Sequence, residues 1–299
     1  MCDFQSQYQA WLGLIEKALP DFFPLMPEHE GGAVVEAARY SLMAGGKRIR
    51  PVLALAVADM LGIETDKAMP YACAIEMIHT YSLIHDDLPC MDDDSWRRGR
   101  KTCHIVYGEA LAVLAGDALL NRAYELLLET IDVQQPASRE AALQIASAAG
   151  SRGMIGGQTL DLAAEKNQIS ASEMQKLHMM KTGALLKAPI IAMVKLAGLK
   201  ADRQIAFEMY AEAIGLAFQI QDDILDVVSD REQMGKTTGK DARDNKSTYV
   251  SLYGLEGARE QLSRAIEQAY DHLRRIQEQA GLGRVFLHGM TDYLLNREK

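Results

Sequence analysis

The sequence predicts an all-α protein, one domain spanning residues 1–299 and built as a bundle of about ten helices. Three observations carry this prediction. Apolar residues recur three or four apart in windows rich in Ala, Leu, Met, Glu and Gln, which is helical periodicity. Pro and Gly fall between those windows as breakers. No alternating strand pattern, fixed-period repeat, low-complexity segment or linker-like shift in composition interrupts them.

The first window, VVEAARYSLMAG, lies between Gly31-Gly32 and Gly45-Gly46, beyond the breakers Pro20, Pro24 and Pro27. VLALAVADMLG follows Pro51, and AMPYACAIEMIHTYSLIHDD runs up to a turn containing Pro89. EALAVLAGDALLNRAYELLLETI ends ahead of Pro136, and REAALQIASAAGSRGMIGG follows it. Beyond Gly198 come QIAFEMYAEAIGLAFQIQDDILDVV and EGAREQLSRAIEQAYDHLRRIQEQAG. Several windows are apolar nearly all round, which predicts a central element surrounded by others.

Composition narrows the function. With 299 residues, 48% of them hydrophobic, the chain is long enough for a sizeable core. A net charge of -9 argues against a nucleic-acid or anionic-membrane partner, so any anion must be held by local basic clusters. Cys2, Cys73, Cys90 and Cys103 show neither C-x-x-C spacing nor a disulfide framework, which predicts a reducing compartment. The first twenty residues lack a basic segment ahead of a long apolar run, and no later stretch is uninterruptedly apolar for a membrane span, so a cytoplasmic protein is expected.

The chemistry concentrates in two acidic clusters. HDDLPCMDDD, residues 85–94, is followed at once by SWRRGRK. Pro89 removes the backbone donor that would have bonded near His85, so the helix is expected to stop there and Asp92 to fold back toward Asp86. Downstream, FQIQDDILDVVSD places Gln219, Asp222, Asp226 and Asp230 on one helical face, with Asp223 beside it. A single Asp-Asp pair is ordinarily a solvated helix end. Two pairs, each expected to end an apolar helix, point instead to cation binding. Oxygen ligands without nearby His or Cys suit a hard cation such as Mg2+, which bridges a few carboxylates to substrate phosphates.

Cationic residues complement them. Arg97 and Arg98 stand beside the first cluster as diphosphate clamps, because guanidinium groups grip phosphate oxygens bidentately. AGGKRIRP sets Lys47, Arg48 and Arg50 in a glycine-marked turn. KTG at Lys181–Gly183 and GKTTGKDARDNKSTY with Lys236, Lys240 and Lys246 are similar. The last is no Walker A loop, since Asp241 follows Lys240 where Ser or Thr is required. His79 lies seven residues before Asp86, two helical turns down nearly the same face. No nucleophile elbow or zinc-hydrolase motif occurs.

Taken in order, GGKRIRP, DDLPCMDDD, RRGR, GGQTLDL, KTGALL, FQIQDDILD and GKDARDNKSTY resemble the short-chain trans-polyprenyl diphosphate synthases, most closely the bacterial farnesyl diphosphate synthases. The resemblance runs from about Gly45 to Tyr249. It implies an all-α isoprenoid synthase fold with a deep central cavity, a homodimer, and a prenyltransferase joining isopentenyl diphosphate head to tail with dimethylallyl or geranyl diphosphate. By the same resemblance Asp86, Asp92 and Asp222 are metal ligands, and several Mg2+ ions, as many as three in the family, bridge carboxylates and diphosphate. Lys47, Arg50, His79 and Arg98 match the isopentenyl diphosphate site. Arg97, Lys181, Thr182, Gln219, Lys236 and Lys246 match the allylic diphosphate site. Asp86, Asp92, Arg97, Lys181, Asp222 and Lys236 form the catalytic set.

An allylic diphosphate leaves with several negative charges, so cations aimed at its oxygens stabilise the transition state, while the allylic cation needs a dry cavity. The sequence offers no side-chain base for the final proton, and the resemblance implies that the released diphosphate accepts it. Tyr81, five residues before Asp86, lies about 7.5 Å down the helix. The resemblance makes it the cavity floor that stops growth at C15, although a helical wheel turns it about 140° from Asp86. A geranylgeranyl diphosphate synthase making C20 stays open, as more distantly do a class I terpene cyclase and a non-catalytic partner subunit.

Overall fold

The computed structural model describes residues 4–164, 169–232, 248–280 and 286–295. Lys236 and Lys246, and with them most of GKTTGKDARDNKSTY, lie outside the described residues. Thirteen α-helices are present among the described residues, against the ten expected. Part of the excess comes from short segments: a five-residue helix at Cys103–Tyr107, and a helix split in two by a π-helical turn at Met179–Gly183. Backbone contacts divide the chain into two compact units, residues 1–145 with 195–197 and residues 146–194 with 198–299.

In the first unit α1 (Phe4–Phe22) buries Tyr8, Trp11, Ile15 and Leu19, one stripe at spacings of three and four. Pro20 does not break it as expected: the helix runs two residues further, and the break comes at Pro24 and Pro27. After α2 (Gly32–Leu42), α3 (Ile49–Met60) is buried from Ile49 to Ala58 except at Arg50. Pro51 sits in its first turns, where a missing N–H costs little. α4 (Thr65–Asp86) is buried on almost every face and packs on α1, α2, α3 and α6 (Glu109–Glu129), which makes it the central element. Short strands β1 (Trp96–Arg97) and β2 (Arg100–Lys101) form a hairpin that period-two patterning could not register, each strand being two residues long. Its turn residues Arg98 and Gly99 both have positive φ, 52° and 74°, as a primed hairpin turn requires. The short α5 (Cys103–Tyr107) precedes α6, and α7 (Pro136–Ala149) contains the boundary between units.

The second unit comprises α8 (Met154–Ala164), α9 (Ala171–His178), the π-helical turn, α10 (Ala184–Leu196), α11 (Ala201–Glu232), α12 (Tyr249–Ala280) and α13 (Phe286–Leu295). α9 opens on a capping box in which Ser170 and Glu173 satisfy each other's backbone N–H. Residues Ala171–Leu196 are long and apolar enough to span a membrane by length and composition, but 61% of that window is buried, as in a core helix. Met174, Ala217, Ile220, Ile224, Tyr249, Ala258 and Ala265 pack α9, α11 and α12 into one core. α12 is broken at Gly254, where φ is 70°. Tyr210 of α11 bonds Thr291 of α13 at 2.9 Å.

Candidate active site

The first acidic cluster is shaped by the end of α4. The helix stops at Asp86, and the Asp92 N–H then donates to the Asp86 carbonyl at 2.8 Å, so the turn around Pro89 does fold Asp92 back. Asp87 faces inward, 3% exposed, and its Oδ1 accepts Arg97 Nε at 2.7 Å and Nη2 at 2.6 Å. Burial pushes the Asp87 carboxyl up and the Arg97 contact pulls it down. Arg97, expected as a diphosphate clamp, is thus engaged by a carboxylate of its own motif and ties the hairpin to the end of α4.

Beside this lies a concentration of positive charge. Half-buried His79 of α4 is held neutral, its pKa well below the ordinary value, first by burial and then by the fields of Arg50, Arg98, Arg97 and Arg48. The structure therefore brings together three of the four residues expected at the isopentenyl site, His79, Arg50 and Arg98. Exposed Lys47 stands in the adjoining glycine turn, its carbonyl accepting the Tyr8 hydroxyl. Arg98 Nη1 donates to the Gly45 carbonyl at 2.6 Å. Gly46, at φ 129°, permits this approach, because a Cβ there would lie 3.0 Å from Arg98 Cζ. Arg48 corrects the expectation of three cations facing an anion. It is 2% exposed and turned inward onto Glu76 at 2.6 Å and Glu16 at 2.8 Å.

Tyr81 is 5% exposed, its ring edge-on to His85 at 5.6 Å, and its hydroxyl has no hydrogen-bond partner. Burial, Tyr124 and Asp86 all raise its pKa. His85 is set by its Nε2 contact to the Val113 carbonyl at 2.9 Å, across from Gly116, where a Cβ would collide with the imidazole.

In the second unit the acidic cluster does not end its helix, contrary to expectation: α11 runs through it to Glu232. The helical wheel is otherwise followed, with Asp222 and Asp226 half-buried and Asp223 turned into the core, 6% exposed. Asp223 Oδ2 accepts the Tyr249 N–H at 2.7 Å and Oδ1 accepts Gln219 Nε2 at 2.9 Å, so Gln219 is turned to Asp223. Burial, with smaller contributions from Asp222 and Asp226, pushes the Asp223 pKa up to about 7 against both hydrogen bonds. Asp230 lies where no side chain is described.

Lys181 and Thr182 lie in the π-helical turn, a wider coil that is frequent at functional sites. Lys181 pairs with Asp161 of α8, a residue of GGQTLDL that carried no assignment from sequence. The two glycines of that motif let the helices meet, since a Cβ on Gly157 would penetrate the Lys181 backbone. His178, one turn before Lys181, is driven down to about pKa 4 by burial, although Asp161 raises it.

Sequence reasoning also missed Glu76. Its signal was visible, as the single acid inside the apolar run YACAIEMIHTYSLI, three residues before His79. Among the described residues, no three His, Cys, Asp or Glu are gathered closely enough to hold an ion alone. Asp86 and Asp92, joined through their backbones, and half-buried Asp222 are carboxylates without a neighbouring His or Cys ligand among the described residues, and so few oxygen donors leave places for water and phosphate oxygens. They fit Mg2+, which keeps several waters and shares few carboxylates.

The sequence model of the family described as Polyprenyl synthetase matches residues 32–281. The chain is 43% identical to the farnesyl diphosphate synthase of Escherichia coli (strain K12) over 301 residues, covering 99% of this chain and 100% of that one. It is 44% identical to the geranylgeranyl diphosphate synthase of Cyanophora paradoxa over 266 residues, 88% of this chain and 87% of that one. The crystal structure of an FPP/GFPP synthase from Zymomonas mobilis matches with a TM-score of 0.82 at 36% identity, over 98% of this chain and 96% of that one.

Proposed function

Since the chain belongs to the polyprenyl synthetase family, we propose that it is a farnesyl diphosphate synthase, condensing isopentenyl diphosphate with dimethylallyl and then geranyl diphosphate. The observation that carries this reading is the setting of the first acidic cluster: Asp86 and Asp92 at the tip of α4, with His79, Arg50 and Arg98 gathered beside the same helix. One side suits a diphosphate about to leave, the other a diphosphate that stays.

Asp86, Asp92 and Asp222 would hold Mg2+, which when bound supplies positive charge to the leaving diphosphate. Lys181 and Thr182, with Lys236, Lys246, Gln219 and the Arg97 donors that Asp87 does not engage, bind and orient the allylic diphosphate. Lys47, Arg50 and Arg98 hold isopentenyl diphosphate by charge, and neutral His79 contributes one N–H. The allylic C–O bond breaks, the isopentenyl double bond attacks the allylic carbon, and loss of a proton to the released diphosphate restores a double bond. The apolar wall that includes Tyr81 excludes water from the cation.

The reading extends to a cytoplasmic homodimer. Cys73, Cys90 and Cys103 are free thiols, in keeping with a reducing compartment. Product length rests on Tyr81, whose buried, unpartnered hydroxyl suits a floor against hydrocarbon. A C20 product is the second reading, favoured by the 44% identity to a geranylgeranyl diphosphate synthase. The deciding experiment incubates the protein with isopentenyl and dimethylallyl diphosphates and Mg2+ and measures product length by chromatography. C15 is expected, and Tyr81→Met is expected to shift the product toward C20. An unchanged distribution removes Tyr81 from that role, and absence of any condensation rejects the proposal.

A further inference from the structure

Glu76 has no part in the chemistry above, yet it is 1% exposed in the middle of α4 and its charge is not idle. Oε1 accepts Arg48 Nη1 at 2.6 Å and faces Arg98 Nη2 at 3.9 Å. Those arginines belong to different elements, the glycine turn before α3 and the tip of the β1–β2 hairpin. Both hold left-handed backbones, φ 46° at Arg48 and 52° at Arg98, which a side chain with a Cβ disfavours. Arg48 is closed off by Glu16 and by the Leu42 carbonyl at 2.6 Å, whereas Arg98, among the described residues, has the Gly45 carbonyl, the more distant pull of Glu76 and the weaker field of Glu16. At 3.9 Å that pull aims a guanidinium without capturing it, leaving donors for an incoming anion.

We infer that Glu76 is a positioning residue for isopentenyl diphosphate, acting through Arg98 and the 45–48 turn without touching the substrate. This rests on the reading of Lys47, Arg50, His79 and Arg98 proposed above. Burial and the neighbouring Arg48 and Arg97 lower the Arg98 pKa, and Glu76, with a smaller contribution from Glu16, opposes them. A neutral side chain at 76 leaves like charges facing one another and releases Arg98 toward water.

Steady-state kinetics with isopentenyl and geranyl diphosphates test this. Glu76→Gln keeps an acceptor and removes the charge. It is expected to raise KM for isopentenyl diphosphate about tenfold, with kcat and KM for geranyl diphosphate within about twofold. Glu76→Asp keeps the buried charge and shortens its reach; it serves if the Gln variant does not fold, and raises the same constant by less. Glu16→Gln loosens Arg48, which it touches, and removes a weaker field at Arg98, so it should lower Tm while moving that KM by less than about twofold. In the double variant with Arg98→Lys, the Glu76 effect should disappear. If the Glu76 variants lower Tm but leave KM for isopentenyl diphosphate unchanged, or add fully to Arg98→Lys, Glu76 is merely structural and the inference is overturned. If Arg98→Lys itself leaves that KM unchanged, the isopentenyl reading fails and the inference falls with it.

Discussion

The ends of α4 and α11 solve one problem in opposite ways. Each must present carboxylates from an apolar helix while disposing of a neighbouring aspartate that points inward. α4 stops, and a proline turn doubles back so that Asp92 meets Asp86. α11 continues, and helical periodicity alone aligns Asp222 with Asp226. The inward aspartate of the first cluster, Asp87, is matched by a full charge on Arg97. Among the described residues, that of the second, Asp223, receives the Tyr249 N–H and an amide from Gln219, and burial carries its pKa to about 7 against them. Among those residues Asp87 is held by an ion pair and Asp223 by neutral donors.

The largest expected effect tests what the two share. Asp86→Asn and Asp222→Asn should each lower kcat by about 10²–10³-fold, read with saturating substrates and Mg2+. A large loss in one and none in the other would show that only one cluster faces the reaction. Next comes the inward pair. Asp87→Asn leaves the partly exposed Arg97 charge to the more distant Asp94, at 3.7 Å, and should cost about 2 kcal/mol in urea unfolding at pH 8. Asp223→Asn, by contrast, still accepts the Tyr249 N–H, and Gln219 can turn its amide round to receive the new NH2 group. Its cost should stay under about 1 kcal/mol. Equal costs would erase the distinction between charged and neutral support.

Histidine titration extends the contrast. His178 is neutral in the fold, with a pKa of about 4, while the unfolded chain takes up a proton near 6.5. Between those values the unfolded state binds more protons, so stability falls as pH drops through that window, by on the order of 3 kcal/mol at pH 4. Asp223, whose pKa of about 7 makes the fold gain stability over the same range, acts in the opposite sense, so the His178 slope is read as the difference between wild type and His178→Gln in urea unfolding from pH 7 to 4. His79, held down by burial and four arginines, should leave part of the slope behind in that variant.

Local features were the legible part of this site. Pro89 announced the end of α4, and a helical wheel put Asp222 and Asp226 on one face with Asp223 beside them. The motifs also located His79, Arg50 and Arg98 before the fold brought them together. What stayed hidden depends on which side chains the fold pairs: two Arg97 donors taken by Asp87, Arg48 buried on Glu76 and Glu16, Asp161 beside Lys181. No propensity records that Gly157 must admit a foreign backbone, and strands of two residues carry no period. Continuation of α11 past its aspartates escaped because like charges resemble a stop signal until Asp223 finds donors from α12.

The π-helical turn at Met179–Gly183 has a consequence for sequence length. It holds one residue more per turn than its surroundings. Deleting one residue there would let the coil relax to ordinary winding with the helices on either side still in register. The residues of the turn itself would be displaced, Lys181 would lose its aim at Asp161, and the chain would become a more regular helix and a worse enzyme. A deletion that most helices could not absorb would here spare the packing and cost the site.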